Sequence, residues 1–158
     1  MVILRNKEFS FFSFGKSSSS KTSFAEIKDA TSDEIKESII YKLFPTIDPE
    51  VTDYVDSEKL KKFKSFGLKD RKSLINSIEN SIWKYEKKKA SNSTGVTEKD
   101  IKGNIDIFAI YKIIDNETIV LSTEAKKGSS LDKKLPDFYW DVEINLRTGI
   151  SDVAGAGD

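Results

Sequence analysis

NIDIFAIYKI (104–113), TIVLSTEAKK (118–127) and FYWDVEINL (138–146) decide the fold. Apolar and polar residues alternate in each, the period of a half-buried strand. In the first, Ile105, Ile107, Ala109, Tyr111 and Ile113 share one face, and Asp106, Phe108, Ile110 and Lys112 the other. In the second, Ile119, Leu121, Thr123 and Ala125 oppose Val120, Ser122, Glu124 and Lys126. Asp115-Asn116 supplies turn chemistry between the two, so they form a hairpin. In the third, Trp140, Val142, Ile144 and Leu146 alternate with Tyr139, Asp141, Glu143 and Asn145. Pro136 would also suit a helix start over 137–147, but the alternation favours strand.

Upstream the period is helical. Thr31 and Glu34 make a capping-box pattern before Ser32–Phe44, whose stripe is Ile35, Ile39, Ile40 and Leu43, and Pro45 stops it. Asp48-Pro49 opens a short turn with Val51, Tyr54 and Val55 inward. A further helix is expected over Ser57–Phe66, with Gly67 as its left-handed terminator. The longest, Arg71–Lys89, is capped by Asp70 and presents Leu74, Ile75, Ile78, Ile82 and Tyr85. The expected architecture is α+β, with N-terminal helices packed on a short antiparallel β-meander. Residues 1–24 form an arm and 25–150 one domain, helical over 31–90 and a meander over 103–148. Residues 151–158 are expected to be a flexible tail.

The chain has 158 residues, 37% of them hydrophobic and 33% charged, with zero net charge. It has neither cysteine nor histidine. Disulfides, thiolate metal sites and histidine-based triads are therefore excluded. Val2–Leu4 is too short an apolar run for a secretory signal, and no stretch approaches a membrane span. Charge is sorted along the chain: residues 31–56 carry two lysines against seven acids, and 57–102 carry thirteen basic residues against six acids. Such sorting suits contact between copies, a homo-oligomer.

Asp106 on one strand and Glu124-Ala125-Lys126 on the next resemble the PD-(D/E)xK nucleases. The resemblance covers about 79–127. It implies a Mg²⁺ site on Asp106 and Glu124, a lysine, Lys126, that orients or activates water, and a supporting acid at Glu79. Ile105 stands where that family's proline would be, and acid-x-Lys occurs seven times in the chain. The nuclease reading therefore stands as the alternative.

Lys59–Lys64 (KLKKFK) with Lys69, Arg71 and Lys72 could contact phosphates of nucleic acid. Phe63 and Phe66 fit the apolar stripe, which leaves no surface aromatics for base stacking. Lys61, Lys62 and Lys64 are better candidates for pairing with an acidic protein surface.

The opening MVILRNKEFSFFSF is similar to the leaders of small structural proteins of gut Bacteroidota tailed phages, the crAss-like phages included. That resemblance implies a virion component, such as a head–tail connector, ring, minor capsid or tail protein, made in the host cytoplasm and located in the virion. Phe9, Phe11, Phe12 and Phe14, beyond the Ser17–Ser20 hinge, would bury their rings on a neighbouring subunit. Under this reading the protein is non-enzymatic, takes no cofactor and binds no membrane, and its partners are copies of itself and other virion proteins.

Overall fold

The computed structural model describes residues 29–51 and 55–158. The proposed arm with Phe9, Phe11, Phe12 and Phe14 lies outside them, as does Tyr54. The fold is α+β, built on a four-stranded antiparallel sheet in sequential order. Its strands are β1 (Ile105–Ile113), β2 (Thr118–Ala125), β3 (Tyr139–Asn145) and β4 (Ser151–Gly157).

The fourth strand replaces the expected flexible tail. Arg147-Thr148-Gly149 does not end the sheet but reverses the chain. Asn145 Oδ1 accepts from Arg147 N and Thr148 N, both at 2.9 Å, and Asn145 N donates to Ile150 O at 2.9 Å. Gly149 takes the turn's positive φ of 81°. β4 then pairs with β3 from Ser151, opposite Ile144, to Gly157, opposite Tyr139, with Ala154 bulged between Val153 and Gly155, and its small residues lie beside bulky ones. A Cβ on Gly157 would stand 3.3 Å from the Tyr139 hydroxyl, so glycine fits there and a larger residue crowds the ring.

The phase of β1 also differs from simple alternation. Register shifts between Ile107 and Ala109 and between Ile110 and Lys112 mark two bulges, at Phe108 and Tyr111. Each extra residue flips the faces that follow it. Ile110 therefore pairs with Leu121 on the core face and Ala109 with Ser122 on the outer face. The second flip is offset by the first, and Ile113 returns to the core opposite Ile119.

The expected first helix is two: α1 (Ser32–Glu37) and α2 (Ile39–Leu43). Ser38 breaks them with extended angles (φ −77°, ψ 157°), donating to Ile35 O at 2.7 Å and accepting from Tyr41 N at 3.3 Å. A serine hydroxyl offers the backbone these local alternatives to helix continuation. The break lets Ile35 and Ile40 both reach the core. Helix α3 (Ser57–Lys62) is shorter than expected, because Phe63 leaves helical geometry to turn inward.

Helix α4 (Arg71–Lys88) matches expectation, capped by Asp70 on Ser73 N. Its Leu74, Ile78 and Ile82 are fully buried, and it packs on β3 and β4. Short helices α5 (Glu98–Ile101) and α6 (Ser130–Lys134) meet through Lys134 and Asp100 at 2.8 Å. The Lys134 ammonium, then the Ser130 hydroxyl, hold the Asp100 carboxyl well below its ordinary range.

All these helices cover one face of the sheet, in a single core centred on Trp140, Val142 and Ile144. Burying such a side chain is worth ~1.5–3 kcal/mol. One polar link crosses the core: Trp140 Nε1 donates to Glu86 Oε2 at 2.8 Å. Both residues are fully buried, and Glu86 Oε1 has no hydrogen-bond partner.

Candidate functional site

Asp106 and Glu124 stand directly opposite each other on β1 and β2, on the face away from the helices. Cross-strand partners have Cβ atoms about 4.5–5.5 Å apart, and like charges there repel. The Glu124 carboxyl is accordingly pushed up from its ordinary value, by burial first, then by Asp106, with Asp132 and Asp137 adding to the effect. Lys127 opposes the shift. Lys126 lies one step beyond β2, where its N–H donates to Asn104 O at 2.8 Å. That bond continues the ladder, so Lys126 keeps the phase of Glu124, but its side chain is exposed. Among the described residues no ion pair joins Lys126 to either acid.

Glu79 serves another purpose. It is 7% exposed, and its Oε2 accepts from Gly103 N at 2.9 Å, fixing the turn before β1. The structure thus brings Asp106 and Glu124 together and commits Glu79 to the turn. Among the described residues no three acids or histidines converge closely enough to hold a metal ion. The pair as it stands is a site of repulsion that a cation or a basic side chain would relieve.

The basic stretch is partly neutralised within the molecule. Lys61 meets Glu34 at 3.0 Å, Lys62 meets Glu58 at 3.5 Å and Lys64 meets Glu117 at 3.7 Å. Glu34 also accepts the Thr31 N–H and the Ser57 hydroxyl. The Thr31 backbone bond, then Lys61 and Ser57, lower its carboxyl to about 2.

Beyond these pairs the structure reveals a patch at one end of the sheet. In an antiparallel sheet of sequential order, the β1–β2 and β3–β4 turns lie at the same end. The 63–70 loop is tied to both. Lys64 N donates to Asn116 O at 2.8 Å, and Lys69 N donates to Leu146 O at 2.8 Å. Leu146 N in turn donates to Glu117 O at 2.9 Å. Each loop carries an exposed apolar side chain: Phe66 is 76% exposed, Ile150 74% and Ile114 37%. These are the large exposed hydrophobics among the described residues. Lys64, Lys69, Arg71, Lys72 and Arg147 lie on or beside the same loops.

Phe66 does not face inward as the helical stripe implied. Once α3 stops at Lys62, Phe63 fills the core and Phe66 sits in the loop before Gly67, whose φ is 78°. Ile114 and Ile150 carry no sequence signal of exposure beyond their place in turns. Compared with protein-family models, with curated proteins and with solved structures, the chain has no significant match.

Proposed function

We propose that this protein is a non-enzymatic assembly subunit, with a tailed-phage virion as its setting, and that its loop-tip end docks on a neighbouring copy. One observation carries the reading: three apolar tips gathered at one end of the sheet, with Lys69, Arg71, Lys72 and Arg147 exposed on or beside the same loops. Exposed apolar patches of this kind mark interaction sites. Two of the three tips are aliphatic and offer no stacking face, which favours a protein partner over a single-stranded nucleic acid. The complementary surface is the acidic α1–α2 region, where Asp33, Glu37 and Glu50 are exposed. Beside them Ile39, Tyr41 and Leu43 are half-buried and give the tips apolar ground. Docking of one end onto a different surface of the next copy is heterologous, the geometry that generates rings or stacks. The leader's similarity to phage structural proteins supports the virion setting and assigns residues 1–14 to a further contact.

Sedimentation of the full chain at low and high salt tests this. The expected result is assemblies larger than a dimer at tens of micromolar, weakened by salt and absent in Phe66→Ser/Ile150→Ser. Unchanged sedimentation in that variant would overturn the reading. The Asp106–Glu124 pair favours the nuclease as a second reading. Cleavage of plasmid or RNA with Mg²⁺ or Mn²⁺, lost in both Asp106→Ala and Lys126→Ala, would establish it.

A further inference from the structure

The helices cover one face of the sheet, yet the middle of the other face is buried as well. The register runs across it as Ala109, Ser122, Asp141 and Gly155, with Lys112, Val120, Glu143 and Asp152 as the next row. Ala109 and Ser122 are 0% exposed, Val120 3% and Asp141 4%. The solvated face of an antiparallel sheet would expose such positions. Beside them lies a groove of about 410 Å³, lined by Val120, Gly155, Tyr111, Tyr139, Ala154 and Glu143 among others. Among the described residues a Cβ on Gly155 would meet only Asp141 Oδ2, at an ordinary 3.8 Å. Local crowding does not require glycine there, and its effect is to keep the groove deep.

We propose that residues 9–14 of a neighbouring copy dock in this groove, which rests on the assembly reading above and names the surface that receives the arm. Size is the first argument for that occupant. A cavity of ~150 Å³ takes one benzene. The groove therefore has room for two or three of the rings of Phe9, Phe11, Phe12 and Phe14, and Tyr111 and Tyr139 offer them aromatic edges and faces. Charge is the second. Residues 1–24 carry Arg5, Lys7, Lys16 and Lys21 against Glu8 alone. The outer face carries Asp106, Glu124, Asp141, Glu143 and Asp152 against Lys112 and Lys126, so the two are complementary.

Length is the third. Residues 15–28 separate Phe14 from Asp29, up to ~50 Å of chain. Asp29 is bridged to Asp56, the cap of α3, in the helix layer on the opposite side of the sheet from the groove. From that anchor the arm is long enough to clear its own body and reach the outer face of an adjacent copy.

The test is disulfide trapping in the full chain, which has no native cysteine. Ser13→Cys and Glu143→Cys chains are mixed at tens of micromolar under mild oxidation. Ser93→Cys, exposed on the turn after α4, is the control partner. Docking holds the arm thiol near the groove at an effective concentration of ~1 mM, so the 13–143 link should form at least about tenfold faster than the 13–93 link. Its rate should fall to that of the control when the arm also carries Phe11→Ser/Phe12→Ser. The same fall is expected when Gly155→Leu fills the groove without changing the circular dichroism spectrum. Phe66→Ser/Ile150→Ser should leave the link in place, so loss of loop-tip docking and loss of arm docking are read separately. A 13–143 link no faster than the 13–93 link, or one indifferent to both changes, overturns the proposal. So does a Ser13→Cys/Glu143→Cys double variant that closes its disulfide within one chain rather than between chains.

Discussion

Replacing Glu124 by glutamine should stabilise this protein at neutral pH. Glu124 stands opposite Asp106 and is half-buried, with burial and its acidic neighbours both raising its carboxyl. Glutamine keeps the shape and removes one of two opposed charges. Relief of a directly opposed like pair is worth about 0.2–1 kcal/mol. For a domain of this size that is a rise of about 0.4–4 °C in Tm. The pH dependence has a definite sign. A carboxyl raised in the folded state binds more protons there than in the unfolded chain, where its pKa is about 4.3. Below that value both states are protonated and the wild type carries no penalty. The penalty grows as pH rises through the folded pKa and is complete above it. Thermal unfolding of wild type and Glu124→Gln between pH 4 and pH 8 should show a gap that opens with pH. Millimolar Mg²⁺ should shift both proteins equally. A cation held by the pair at ten times its Kd would instead stabilise the wild type alone by about 1.4 kcal/mol. A Glu124→Gln protein less stable than wild type at pH 7, or a gap unchanged at pH 4, refutes the repulsion.

Other expectations follow from the core and the caps. Trp140→Phe and Glu86→Leu each leave one buried polar group without its partner, at about 1–3 kcal/mol. The double variant leaves neither, so urea denaturation should give a total below the sum of the singles by at least about 1 kcal/mol, and strict additivity would contradict the Trp140–Glu86 bond. Thr31→Ala removes the first cap and should cost about 0.5–2 kcal/mol at neutral pH. The Glu34 carboxyl is depressed to about 2, so its contribution is full above the unfolded value near 4.3 and is lost as pH falls toward 2, which acid titration of Glu34→Gln against wild type can follow. Deleting residues 1–20 should leave the circular dichroism and Tm of the body intact while blocking entry into a particle, and a truncated chain that still joins would remove the arm from the assembly mechanism.

Much of this fold was legible because its signals are periodic. Asp70 and the Leu74–Ile78–Ile82 stripe define α4, and strict alternation defines β3. What escaped carries no period. β4 is small and glycine-rich, with little apolar alternation to detect, and the informative residues were Asn145 and Gly149 in the turn before it. The β1 bulges keep both ends of the strand in phase, so alternation across them reads as continuous while Ala109 and Ile110 exchange faces. Ser38 breaks a stripe that looks whole. The short helices at Glu98 and Ser130 had readable caps in Thr97-x-x-Asp100 and Ser129-x-x-Asp132, but too few apolar residues to register as helices. The acid pair followed from hairpin register. The exposed patch did not, since the exposure of Phe66 depends on where α3 ends, and that is decided by Phe63 entering the core.

Zero-length crosslinking between lysine and carboxylate groups tests head-to-tail docking most directly, with isotopically labelled and unlabelled full chains mixed to identify links between copies. Docking of the loop-tip end on α1–α2 predicts intermolecular links from Lys64, Lys69 or Lys72 to Asp33, Glu37 or Glu50, and their disappearance in Phe66→Ser/Ile150→Ser. Links confined to one chain, or intermolecular links that persist in that variant, would contradict it.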